Sequence, residues 1–179
     1  VSDRHLKARG YLQEVEAKRL YKLAGEVPEN GSIVNIGIEF GKSMVCLTDG
    51  AKPSVSVTGI DISLARYAGP KYPNRNFYLV EGRSHDVLQT FVGDIDLLFI
   101  DGDHSRQGVT LDLGWIDRLT VNGVVAFHDC SDYGSCDPNK PHHICPEVNE
   151  VVSDWYAANG DRFVELERAC TIRSFRRMV

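Results

Sequence analysis

Five short apolar runs recur along the chain, each followed by a turn and most by a helical pattern, and this alternation restricts the fold more than any other feature. The runs are SIVNI (32–36), SVSVTGID (54–61), NFYLVEG (76–82), IDLLFIDGD (95–103) and GVVAFHD (123–129). Between them, KSMVCLTDG (42–50) and SHDVLQTF (84–91) read as short helices, the second capped by Ser84. Residues 108–123 read as an amphipathic helix with Val109, Leu113, Ile116 and Leu119 on one side. A helix over residues 11–25 precedes the first run, a helix over 147–158 follows the last, and RFVEL and TIRSF read as two closing strands. Strands alternating with helices predict a doubly wound, mostly parallel α/β sheet. The first, fourth and fifth runs are continuously apolar, as strands covered on both faces must be. No repeat, linker or low-complexity tract interrupts the 179 residues, so one domain over 1–179 is expected.

In such sheets the ligand binds beyond the carboxyl ends of the strands. Those positions here are Gly37, Asp61, Glu81, Asp101, and His128 with Asp129. Core packing alone does not call for so many ionisable groups at one end of a sheet, and the pattern points to a site there.

The first strand runs into NIGIEFGKS (35–43), whose ending resembles a phosphate loop. That loop needs four residues between its first Gly and the Gly-Lys-Ser, and only Ile38, Glu39 and Phe40 stand here. Glu39 also brings the wrong sign for a phosphate. LLFID (97–101) speaks for an NTPase as a metal-binding second motif, but the spacing of the first motif speaks against it. The dinucleotide pattern G-x-G-x-x-G fails too, since no second Gly follows Gly37 at the required place. What fits is a tight turn, with Gly37 and Gly41 letting a ligand approach the backbone. Asp61, twenty residues after Gly41, stands where an acidic group accepts from ribose hydroxyls. A ribose without a pyrophosphate suggests S-adenosylmethionine (SAM).

Taken together, VNIGIEFGKS, GIDIS, VEGRSHDVL, LLFIDGDHSRQGVTLDL and NGVVAFHD resemble class I SAM-dependent methyltransferases, and most closely a small bacterial group carrying an IDGDHxxxGVxxDL signature. The resemblance covers roughly residues 20 to 155. It implies a Rossmann-like seven-stranded sheet with an antiparallel last strand and helices on both faces. It also implies that Asn35, Gly37, Glu39, Gly41 and Ser43 lie around the methionine end of SAM. Asp61 and Ile62 would meet the ribose, Gly82, Arg83 and Ser84 the adenine, and Asp101 the reacting end. Two positions depart from the family's habit: Asn35 stands where an acidic residue is common, and Arg83 where Asp is common.

SAM carries an activated methyl group, so the protein must orient a nucleophile and remove its proton. Asp101, His128 and Asp129, at adjacent strand ends, form a candidate divalent-cation site for Mg²⁺ or Mn²⁺, with the histidine favouring the transition ion. Metal-dependent O-methyltransferases, which the chain resembles, place oxygen ligands at these positions, and His128 replaces one of them. His104, three residues after Asp101, is the candidate general base, with Asp101 beside it. The expected activity is O-methylation of a small-molecule hydroxyl, and a SAM-binding module acting through a partner is the alternative.

A net charge of −5 argues against a nucleic-acid partner, and no run approaches a membrane span. The start VSDRHLKARGYLQ has no apolar signal core, which sets the expectation of a cytoplasmic protein with reduced thiols among its five cysteines. A homo-oligomer is compatible with the sequence. Trp115 and Trp155 read as helix packing. The loop 130–146 adds Cys136, His142, His143 and Cys145, soft groups able to hold zinc or to face the substrate. With no cap domain, acceptor selection falls to residues 1–25, this loop or a second subunit.

Overall fold

The computed structural model describes residues 3–130 and 145–179. A single turn, α1 (Arg4–Lys7), leads into α2 (Glu14–Glu26), which leads into the sheet. The strands are β1 (Ser32–Ile36), β2 (Ser56–Asp61), β3 (Phe77–Glu81), β4 (Ile95–Ile100), β5 (Leu119–Phe127), β6 (Phe163–Glu165) and β7 (Arg173–Arg177). They form one seven-stranded sheet in the order β3-β2-β1-β4-β5-β7-β6. The first five pair in parallel, and β7 runs antiparallel to both β5 and β6. The helices α3 (Lys42–Gly50), α4 (Ser84–Thr90), α5 (Arg106–Asp112) and α6 (Pro146–Asn159) complete the two outer layers. The expected doubly wound sheet with an antiparallel last strand is what the chain forms.

The two-residue period of a strand sends successive side chains to opposite faces. Ile33, Val57, Leu97 and Phe99 therefore join Leu20, Leu23, Met44 and Leu47 under α2 and α3. Val34, Ile60, Leu98 and Ile100 join Trp115, Val148 and Val152 on the other face. β1, β4 and the second half of β5 are buried on both sides, as continuous apolar runs require. Trp115 meets Phe91 edge-on, and Trp155 packs among Phe127, Phe163 and Phe175.

Three sequence expectations are corrected. The helix over 108–123 starts earlier and ends sooner: Ser105 caps α5 by accepting from the Gly108 N–H at 3.1 Å, and the chain tightens into a 3₁₀ turn at Leu113–Arg118. β5 then begins at Leu119, which is buried and pairs with Ile95, so sheet pairing overrides the helical spacing of these residues. Ser84 is the first residue of α4, not its cap; its hydroxyl donates to Asp112 instead. Cys46, Cys130 and Cys145 are free thiols, but Cys170 is disulfide-bonded, so the thiols are not all reduced. Of the four residues expected to be able to hold zinc, Cys136, His142 and His143 lie outside the described residues, and Cys145 is a buried free thiol. Among those described, no helix is long and apolar enough to cross a membrane.

Candidate active site

A crossing of strands at the sheet's carboxyl end sets the site. β1 runs into Gly37, whose φ of +78° is left-handed, and a Cβ there would lie 1.9 Å from the carbonyl oxygen of Asp101. Only glycine lets the two strand ends approach so closely. The turn continues through Glu39, also left-handed at +38°, to Gly41 at +96°, where a Cβ would strike the ring of Tyr67. Asp61 fixes the turn: its Oδ2 accepts from the N–H groups of Ile38 (2.8 Å) and Glu39 (2.9 Å), and its Oδ1 from Ser63 (3.1 Å). Those amides would converge on the anion in a phosphate loop; here they are turned to a carboxylate. Phe40 lies between the guanidinium groups of Arg9 and Arg66, 3.9 and 4.4 Å from the ring centre, and Glu39 pairs with Arg66 at 2.6 Å.

The ends of β4 and β5 carry a second constellation. His128 Nδ1 lies 3.1 Å from Asp101 Oδ1 and 3.3 Å from Asp129 Oδ2. Its Nε2 lies 3.3 Å from Glu16 Oε2, on α2. Burial pulls the pKa of His128 down, but the surrounding carboxylates, Asp101 foremost, outweigh it and hold the imidazole well above its usual value. Burial likewise pushes Asp101 and Glu16 upward, and in both the facing histidines and hydrogen bonds win and keep the carboxyl below its usual range. His104 Nε2 stands 3.4 Å from Asp101 Oδ1 and 3.6 Å from Asp129 Oδ2, while its Nδ1 lies 3.4 Å from the Cys145 sulfur. The hydrogen bond to Asp101 raises the His104 pKa despite partial burial, and burial pushes the Cys145 thiol up to about 11. Asp129 itself has left-handed φ (+51°), and its N–H donates to Thr171 Oγ1 at 3.2 Å.

Both constellations open into one cavity of about 1080 Å³. That is just above the usual range of small-ligand sites, ~300–1,000 Å³, and leaves room for two reactants. Gly37, Glu39, Ser43, Asp61 and Ile62 line one part of it, Gly82, Arg83 and Ser84 another, and Asp101, His104, His128 and Asp129 a third. Two expected residues are not on its wall. Gly41 sits behind the turn, and Asn35 is fully buried beneath it, donating from Nδ2 to Ser43 Oγ at 2.8 Å while its Oδ1 has no partner. Lys42 is half-buried on the cavity wall.

Sequence reading missed Glu16, Asp112 and Thr171. Glu16 was legible in principle: it falls four residues before Leu20 and seven before Leu23, on the buried stripe of α2, where a carboxylate needs partners. Its capping-box position, accepting from the Gln13 N–H at 2.8 Å, disguised it as an ordinary helix start. Thr171 carried no local signal.

A Rossmann-like sheet with a glycine turn and a row of carboxylates along one cavity at its carboxyl end defines the class of domain to which the chain is compared. Residues 34–130, more than half of the chain, match the family described as "Methyltransferase domain", and the chain belongs to that family. The fold is shared with solved structures at low identity. A Corynebacterium glutamicum protein is 20% identical, with 100% of this chain and 91% of that chain covered and a TM-score of 0.71. The SAH-bound Podospora anserina methyltransferase PaMTH1 is 18% identical over 100% of this chain and 89% of its own, with a TM-score of 0.72. The O-methyltransferase from Bacillus cereus in complex with SAH is 16% identical over 99% and 92%, with a TM-score of 0.66. One curated relative, the uncharacterized protein R132 of Acanthamoeba polyphaga mimivirus, is 35% identical over 69 residues. That match spans 38% of this chain and 29% of the relative.

Proposed function

We propose that the chain is a SAM-dependent methyltransferase acting on a hydroxyl of a small molecule. The observation that carries this reading is the single cavity joining the Gly37–Asp61 turn to the Asp101–His104–Asp129 cluster. Gly37 lets the ends of β1 and β4 close on each other beside the cavity, and Asp61 puts a carboxylate on its wall that would meet the ribose. Gly82, Arg83 and Ser84 would meet the adenine, and Glu39, Ser43 and Ile62 the rest of the cofactor. When bound, SAM supplies an electrophilic methyl group and leaves as S-adenosylhomocysteine (SAH).

His104 is the general base. It stands at the cavity wall between two carboxylates that stabilise its protonated form, so it can take the acceptor's proton as the new O–C bond forms. Asp101 orients it. Asp101, His128 and Asp129 offer three ligand atoms close enough to share one cation, and the donor set fits Mg²⁺ less well than Mn²⁺. A divalent ion there would supply the charge that lowers the acceptor's pKa. Gly10, Tyr11, Leu12 and Gln13 form a further wall, with Tyr11 mostly exposed, and these residues suit acceptor selection. O-direction is supported by the carboxylate-flanked base and by the likeness to the Bacillus cereus enzyme.

Calorimetry with SAM and SAH tests the reading first, followed by methyl transfer to a panel of phenols and sugars. Binding in the micromolar range with product formation is expected. No binding at millimolar SAH refutes it, and binding with no product for any acceptor leaves a SAM-holding module instead.

A further inference from the structure

We propose that Glu16 is a positioning residue for the metal centre: it holds the Nε2–H of His128, turns Nδ1 into a nitrogen ligand, and thereby makes the centre favour a borderline transition-metal ion over Mg²⁺. This rests on the metal-assisted reading of the site. Glu16 lies on α2, outside the family-matching segment, and is 1% exposed. Its oxygens are fully engaged. Oε1 accepts from the Thr171 N–H at 3.1 Å and the Thr171 hydroxyl at 2.6 Å, and Oε2 accepts from the Gln13 N–H at 2.8 Å and faces His128 Nε2 at 3.3 Å. A carboxylate fixed by three donors can only accept, so the nitrogen facing it carries the proton. Carboxylate–histidine pairs of this kind fix the ring and raise the basicity of its other nitrogen.

The other nitrogen faces Asp101 and Asp129 at 3.1 and 3.3 Å. Ligands bound at ~2.1 Å stand ~3.0–3.4 Å apart around an octahedral or tetrahedral ion, so the nitrogen already sits at coordination spacing from each oxygen, and all three atoms lie within 4.8 Å of one another. Asp129 is held in place by its left-handed backbone and by the bond from its N–H to Thr171, the same threonine that donates to Glu16. One imidazole nitrogen with two carboxylates suits Mn²⁺, Fe²⁺, Co²⁺ or Zn²⁺, whereas Mg²⁺ prefers oxygen alone. A buried imidazolium that merely neutralises three carboxylates is the competing account.

Chelator-stripped protein titrated separately with Mn²⁺, Zn²⁺ and Mg²⁺ in a calorimeter separates the two. The wild type is expected to bind Mn²⁺ and Zn²⁺ at least tenfold more tightly than Mg²⁺, and Co²⁺ is expected to give a visible absorption band from nitrogen-containing coordination. Glu16→Gln is expected to weaken Mn²⁺ binding by about 10–100-fold with SAH affinity retained. Because Glu16 is buried, His128→Asn provides a second arm: an oxygen ligand at that position is expected to shift the preference toward Mg²⁺. Unchanged Mn²⁺ affinity in folded Glu16→Gln, a wild type that prefers Mg²⁺, or one that binds SAH but no ion overturns the inference while methyl transfer stands. Absent SAH binding in the wild type would instead strike the proposed function.

Discussion

Asp112 ends α5 with its side chain on the cavity wall, is only 2% exposed, and accepts the hydroxyl proton of Ser84. Burial pushes its carboxyl up to about 6 from an ordinary 3.8. Because the folded value lies above the unfolded one, the folded chain binds this proton at pH values where the unfolded chain has released it. Stability from this group is therefore complete below pH ~4 and is lost as pH rises through about 6. By neutral pH the charged carboxylate has cost at most ~3 kcal/mol, taking ~1.4 kcal/mol per pH unit. Water at the cavity wall relieves some of that, and ~1–2 kcal/mol is the expected size. Asp112→Asn removes the charge and keeps an oxygen for Ser84. The variant is expected to be more stable than the wild type by that amount at pH 7.5, with the difference shrinking to about a third of it near pH 4.5. Urea unfolding of both proteins at the two pH values measures it. A variant equally or less stable at pH 7.5, or a difference that does not change with pH, would refute the reasoning. A gain in stability here would also mean that the wall of the site retains a charge the fold would rather lose, as binding sites often do.

Further outcomes follow from the same geometry. Gly37→Ala must open the contact between the ends of β1 and β4, where a Cβ would lie 1.9 Å from the Asp101 carbonyl; SAH affinity is expected to fall more than about 100-fold and the melting temperature to drop, with backbone strain alone worth ~1–3 kcal/mol. His104→Gln is expected to lower turnover by ~10²–10⁴ while SAH affinity stays within about twofold, and full turnover in that variant would remove His104 as the base. Arg173, 5% exposed, donates to both oxygens of Glu165 at 3.0 and 3.2 Å and to Ser153 at 2.8 Å; Arg173→Met leaves the half-buried carboxylate with Arg168 alone, at 2.8 Å, and is expected to cost ~1.5–3 kcal/mol in urea unfolding.

Much was legible in the sequence alone. β1 and α3 have the bounds their residues announce, because a continuous apolar run and a helical stripe are local patterns. The strand-end residues Gly37, Asp61, Asp101, His128 and Asp129 were also readable, since a parallel sheet brings all strand ends to one edge whatever its detailed packing. Tertiary structure decided the rest. Leu119 follows helical spacing but goes to the sheet because Ile95 is there to pair with it. Asn35 sits at the right position in the motif yet points beneath the turn to Ser43, a direction no spacing rule reveals. Glu16 and Thr171, 155 residues apart, meet beside His128 and Asp129 only because α2 and the β7 approach fold against the same strand end. Periodicity reports which face a side chain takes on its own element, whereas a buried carboxylate's partners are set by which elements the hydrophobic core draws together.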